Sequence, residues 1–185
     1  MTRLLASMLA VLLLLTGCTV NDEPDPDEPS GPFVATDVAR VDFREPLTRE
    51  EAGLAPGRDS RIYERSGDAI DVEVQLPGGG VLRTEAFGLV LAGPVGQDEP
   101  ERVTELRLNV RRGDTADAAE ALAEQASLLG LDPLAVQAWG AAPTPTDQVF
   151  ASPPGTFSAS VQARRSSGDA STWTLNYDLR HQPPA

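Results

Sequence analysis

The stretch that decides the fold is "AIDVEVQL", residues 69–76. In it Ile70, Val72, Val74 and Leu76 alternate with Asp71, Glu73 and Gln75. A period of two is what a strand needs when one face of its sheet is buried and the other is wet. Pro77, Gly78, Gly79 and Gly80 follow as a turn, and residues 81–91 form the returning strand of an expected β-hairpin. The alternation recurs in "RVTELRLNVRR", residues 102–112, where Leu106, Leu108 and Val110 oppose Glu105, Arg107 and Asn109. It recurs again with Phe157, Ala159, Val161 and Ala163, and then with Trp173, Leu175, Tyr177 and Leu179. A Ser/Gly/Asp turn joins these last two runs into a final hairpin. Strands that alternate, instead of running continuously apolar, point to an antiparallel sheet with a single covered face.

Between the third strand and the final hairpin the period changes. Asp114 is placed to cap a helix over about residues 115–129, with Ala118, Leu122, Ala126 and Leu129 as its apolar stripe. Gly130 is placed to end it. Asp132 and Pro133 then stand in cap-then-proline order for a shorter helix that ends near Gly140, with Trp139 as a core anchor. Thr48 and Glu51 in "LTREEAGL" have capping-box spacing, which predicts one more short helix. The expected fold class is therefore α+β, a two-layer sandwich. Its mainly antiparallel five-stranded sheet, in the order β-β-β-α-α-β-β, is covered on one face by helices. It occupies residues 33–185 as a single globular domain.

Hydrophobic content is 41% and charged content 23% over 185 residues, enough for one packed core and too little for two comfortable ones. Net charge is −13, and all fifteen basic side chains are arginine. From Phe33 onward 23 carboxylates face 14 arginines. That balance excludes nucleic acid as an expected partner, because displacing phosphate counterions needs a net basic face. It also excludes adsorption to anionic lipid through charge alone. The arginine-for-lysine bias, with abundant Ala, Gly and Pro, reflects high-GC codon usage before any chemistry.

The N-terminus has its own logic. Arg3 precedes twelve residues, Leu4 to Leu15, that are apolar except for Ser7. A twelve-residue helix rises about 18 Å, short of the roughly 30 Å of a bilayer core, so residues 1–17 are expected to be a signal peptide and not a span. Its end, Leu15-Thr16-Gly17-Cys18, resembles the lipobox of bacterial lipoprotein precursors: an aliphatic residue, two small ones and a cysteine. The resemblance covers residues 1–18 only. It implies that the Cys18 thiolate takes a diacylglyceryl group and that cleavage before it makes Cys18 the lipidated, palmitate-type N-terminus. Two or three acyl chains hold firmly where one does not. With its sole thiol consumed, the mature chain has no internal disulfide to stabilise it. Residues 19–32, "TVNDEPDPDEPSGP", then carry four prolines and five acids and bury too little to fold, so residues 18–32 are expected to be a lipidated, extended tether. The expected location is extracytoplasmic: the outer face of the plasma membrane in a Gram-positive cell, or the outer membrane in a Gram-negative one. Thr19 is not the aspartate of inner-membrane retention.

Catalysis by a nucleophile needs a base. The chain has one histidine, His181, the fifth residue from the end, no lysine and no Gly-x-Ser-x-Gly elbow. Zinc sites want several His or Cys ligands, the acids of the tether fit no calcium loop, and the triple glycine lacks a phosphate-loop lysine. No metal, cofactor or enzyme activity is therefore expected. The acid pair Asp71/Glu73 is read as exposed strand charge, and Thr144 and Thr146 in "AAPTPTDQ" as a plain loop with O-glycosylation as the alternative. The remaining ligand-binding candidates are sheet-face arginines: Arg83, Arg107, Arg111, Arg164 and Arg180, with Arg112 and Arg165 beside them. Cross-strand pairing with Asp71, Glu73, Glu105 and Asp178 is the plain account of them. Docking of an envelope protein or anionic polymer is the sharper one. The expected function is a membrane-tethered, non-catalytic envelope lipoprotein that binds a partner. A carrier of lipid or another apolar ligand is the alternative, and a carboxylate-based envelope enzyme comes third.

Overall fold

A computed structural model describes residues 38–55, 58–64, 69–93, 102–143, 147–166 and 171–182. The signal peptide, Cys18, the tether, Thr144 and Thr146, and the Ser/Gly/Asp turn at 167–170 lie outside the described residues.

The hairpin read from "AIDVEVQL" forms. β4 (Ile70–Gln75) pairs antiparallel with β5 (Val81–Ala86), from Ile70 opposite Ala86 to Gln75 opposite Val81. Gly78 and Gly79 take φ values of 89° and 87° in the turn between them, a region open to glycine at no steric cost. The returning strand does not stay in one sheet. It breaks at Phe87 and continues as β6 (Gly88–Ala92). Phe87 N–H donates to the Asn109 carbonyl at 2.8 Å while Gly88 is the register partner of that same Asn109. Two residues thus oppose one, which is a β-bulge, and a bulge bends its strand.

Because of that bend the expected α+β sandwich, a five-stranded sheet covered by helices, is not what forms. The described chain is mostly β. β3 (Ser60–Glu64), β6, β8 (Glu105–Arg112), β11 (Trp173–His181), β10 (Phe157–Arg165) and β9 (Gln148–Ala151) make a six-stranded antiparallel sheet in that spatial order. β1 (Val38–Asp42), β4 and β5 make a separate three-stranded sheet in which β1 runs parallel to β4. β2 (Leu47–Thr48) and β7 (Arg102–Val103) form a two-residue ladder. The helix expected at residues 48–54 is a single turn. Its capping-box bonds do form: Thr48 N–H donates to Glu51 Oε2 at 2.8 Å and Glu51 N–H to Thr48 Oγ1 at 3.2 Å. Gly53, at φ 62°, then ends the turn before a helix can propagate.

The two remaining helices sit where their caps place them. α1 (Thr115–Leu129) has Asp114 accepting from Asp117 N–H at 2.9 Å at one end, and Gly130 at φ 68° at the other. α2 (Pro133–Ala141) is capped by Asp132, which accepts from Leu134 N–H at 2.9 Å. α1 lies against β5 as well as β8, β10 and β11, so it serves both larger sheets and is not a layer over one. Its face of Ala118, Ala121, Leu122, Ala126 and Leu129 is buried against the inward rows Ala159–Leu179–Leu106–Leu91 and Val161–Tyr177–Leu108–Leu89. Each large aliphatic in those rows stabilises by about 1.5–3 kcal/mol through burial. Val72, Val74, Leu76, Ala39, Val41 and Phe43 of the smaller sheet join the same core. Trp139 is the anchor the sequence suggested, edge-on to Trp173 at 4.9 Å and to Phe150 at 5.8 Å.

Candidate functional site

The alternation that buries one face of the six-stranded sheet aims the other residues of β8, β10 and β11 outward. Strand pairing arranges them in four rows. Ser158, Arg180 and Glu105 form the first row, and Ser160, Asp178 and Arg107 the second. Gln162, Asn176 and Asn109 form the third, and Arg164, Thr174 and Arg111 the fourth.

The first two rows are neutralised internally. Arg180 Nη2 lies 2.6 Å from Asp178 Oδ2 and 3.2 Å from Glu105 Oε1, and Arg107 also pairs with Glu105. The third row is uncharged and closed by a bond of 2.8 Å from Asn109 Nδ2 to Asn176 Oδ1. The fourth row is different. Arg111 stacks on the Phe87 ring at 4.5 Å, an aromatic that the bulge turns outward, and it has no carboxylate partner among the described residues. Arg164 is exposed and has no ion-pair partner among the described residues. Between them stands Thr174, whose hydroxyl is 3.0 Å from that of Ser166. At the usual strand spacing the two arginine positions are about 9.6 Å apart. Two guanidiniums flanking a hydroxyl offer a fork of donors to a carboxylate or phosphate.

The structure therefore brings together four of the five arginines singled out in the sequence and leaves one apart. Arg107, Arg111, Arg164 and Arg180 share the outer face. Arg83 lies on the smaller sheet, where its Nε is 3.1 Å from Glu73 Oε1 while Arg40 Nε is 3.2 Å from Glu73 Oε2. Hydrogen bonds from Arg83 and then Arg40 hold the Glu73 carboxyl below the usual carboxylate range, the opposite of what a proton donor needs. Arg112 points inward, with Nη2 3.3 Å from Thr84 Oγ1 and Nη1 3.9 Å from Asp117. Arg165 covers the Trp173 ring at 4.3 Å.

His181, though close to the chain end, is held in the sheet. It ends β11 opposite Phe157, between that ring at 5.5 Å and Phe43 at 4.7 Å. Its Nε2 is 3.0 Å from the Phe43 carbonyl, and burial pushes its pKa down.

One feature was not found from the sequence. A groove of about 810 Å³ runs beside β1 and is lined by Arg40, Asp42, Arg44, Glu45, Glu51 and Arg102. Val41, Pro46, Leu47 and Thr48 complete its lining, so charged and apolar side chains alternate along it. β1 is only five residues long, and nothing in "VARVD" announces a parallel strand.

Among the described residues no cluster of three or more His, Cys, Asp or Glu is arranged to hold a metal, and no helix is long and apolar enough to cross a membrane. No family model, no curated protein and no solved structure matches this chain.

Proposed function

We propose that this chain is a lipid-tethered binding module of the cell envelope, held to the membrane through Cys18, whose open sheet face takes an anionic envelope polymer. The tethering half of this reading rests on the lipobox, Leu15 to Cys18, and on the proline-rich acidic run behind it. The observation that carries the binding half is the fourth row of the sheet. Arg111 and Arg164 stand there without carboxylate partners among the described residues, on a chain whose net charge is −13. A local cationic row on an acidic body selects ligands that present anions in a narrow register, since the remainder of the surface repels them.

Two measurements test it. In living cells, Cys18→Ser should abolish incorporation of labelled fatty acid; a wild-type product that stays unacylated and free in the cytosol refutes the tether. In vitro, the purified protein should co-sediment with isolated anionic wall polymer, more weakly as salt rises. Each exposed guanidinium–anion contact contributes about 1 kcal/mol, so Arg111→Gln/Arg164→Gln should raise Kd about thirtyfold. Arg107→Gln/Arg180→Gln, which removes arginines already paired, should change it far less. Equal losses in the two double variants would refute the assignment to the fourth row.

A further inference from the structure

The row beside the arginines narrows the kind of anion that the sheet takes. Asn109, Asn176 and Gln162 lie two residues along their strands from Arg111, Thr174 and Arg164, about 6.6–6.8 Å away. All three amides are half-buried, and they are only partly spent on neighbours. Asn109 Nδ2 donates to Asn176 Oδ1 at 2.8 Å, and Gln162 Nε2 donates to Asp147 Oδ2 at 3.1 Å. The Asn176 Nδ2 donor and the Asn109 Oδ1 and Gln162 Oε1 acceptors have no partner among the described residues. A carboxylate or phosphate brings acceptors only, and it has nothing to give those two carbonyl oxygens. A hydroxyl both donates and accepts, which matches a row of mixed amide donors and acceptors. The next row on, Ser160, Asp178 and Arg107, is closed to a further anion, because Asp178 is itself a carboxylate, already held by Arg180.

We propose that the polymer taken by this face is an acidic glycan, its carboxylates on the arginine row and its ring hydroxyls on the amide row. This rests on the reading of Arg111 and Arg164 as an anion site. A chain lying across β8, β11 and β10 meets a cation, a hydroxyl and a cation in turn, at Arg111, Thr174 and Arg164, with an amide beside each. That order fits a polymer in which acidic and neutral sugars alternate. The two guanidiniums fork to acids on every second ring, and Thr174 faces the neutral ring between them. Arg111 is already positioned by its stack on Phe87, so it loses less freedom on binding than an unsupported side chain would. Charge on one row and hydroxyl chemistry on the next divide the work: the arginines attract any polyanion, and the amides select one that carries hydroxyls.

The test uses the purified full chain and two dye-labelled probes of equal charge, read by fluorescence anisotropy. One is a hexasaccharide of alternating glucuronic acid and N-acetylglucosamine. The other is a polyacrylate oligomer with the same number of carboxylates and no hydroxyl. The hexasaccharide should bind about tenfold more tightly than the polyacrylate. Asn109→Val/Asn176→Val removes both partners of the amide bond at once. It should weaken hexasaccharide binding about tenfold and leave polyacrylate binding within about twofold of wild type. Arg111→Gln/Arg164→Gln should weaken both probes. Should the asparagine pair fail to fold as valines, Gln162→Met keeps the side-chain length, removes an amide and should show the same split. The glycan assignment is overturned if polyacrylate binds as tightly as the sugar, or if the amide variants weaken both probes alike or neither. Binding of isolated anionic wall polymer with neither probe bound overturns the glycan assignment alone. Failure of all three ligands to bind overturns the anion site as well.

Discussion

Tyr177 and Gln125 make the most demanding test of how the core is held. Tyr177 O–H donates to Gln125 Oε1 at 2.6 Å, joining the centre of β11 to the buried face of α1. Gln125 is 8% exposed and is the one polar side chain among the buried described residues. Replacing Tyr177 with Phe keeps the ring and deletes the donor, which leaves a buried carbonyl oxygen unpaired. That desolvation penalty is about 1–3 kcal/mol, so a loss near 2 kcal/mol is expected, about 4–8 °C in Tm for a body of this size. Gln125→Met should cost a similar amount by orphaning the hydroxyl. The double variant should sit close to wild type, because removing both partners leaves nothing unsatisfied. A second signature lies at high pH. Burial pushes the Tyr177 pKa up, opposed only in part by the Arg112 charge. Up to the unfolded phenol value of about 10 the stabilising protonated form is kept in both states. Above that value the unfolded chain loses its proton first, and stability falls by about 1.4 kcal/mol per pH unit toward the folded pKa. Urea melts of the four proteins at neutral pH, and of wild type and Tyr177→Phe from pH 8 to 11.5, measure both effects. If the double variant loses the sum of the two singles, or if Tyr177→Phe keeps the full alkaline fall, the reasoning is wrong.

Two other expectations follow from local geometry. A Cβ on Gly93 would sit 2.2 Å from the Arg102 carbonyl oxygen, which is backbone and cannot swing aside. Gly93→Ala should therefore destabilise by more than about 2 kcal/mol in a thermal melt, whereas Gly80→Ala, which meets only the tip of Leu128, should be relieved by Leu128→Ala. Burial lowers the pKa of His181 below its unfolded value of about 6.5, so His181 should stabilise fully above that pH and lose its contribution as pH falls through the folded value. His181→Gln should remove that part of the acid limb in a stability–pH profile, and an unchanged limb would count against it.

Helices and alternating strands were legible in the sequence because their signals are local. Asp114, Gly130, Asp132 and Pro133 each act within one turn of their own position. The departure from the expected sandwich begins at a change of parity within one run. Along residues 81–91 the inward positions move from even, at Leu82 and Ala86, to odd, at Leu89 and Leu91. That slip was present in the sequence, and it is the bulge that splits one sheet into two. β3 and β9 gave no parity because an outward apolar residue sits beside an inward aromatic: Ile62 beside Tyr63, and Val149 beside Phe150. β1 lacked a signal because what makes it a strand is its parallel partner β4, some thirty residues away.

The same limit applies to the arginines, and it explains why parity found the face but not the site. Alternation alone puts Arg107, Arg111, Arg164 and Arg180 on the wet side of their strands. Register decides which of them meet an acid. Pairing of β8 with β11 sets Arg180 across from Glu105 and Arg107 across from Asp178, but sets Arg111 across from Thr174. The nearer of these two acid-bearing rows is four residues along the strand from the fourth row, about 13–14 Å. That exceeds the Debye length of about 8 Å at physiological salt, so Asp178 does little to neutralise Arg111 or Arg164 through solvent. A slip of β11 by four residues would carry an acid opposite Arg111 and erase the cationic row without changing which side chains face water. The site is thus a property of strand registration, written in the turns and in the core packing that hold β8, β10 and β11 in place.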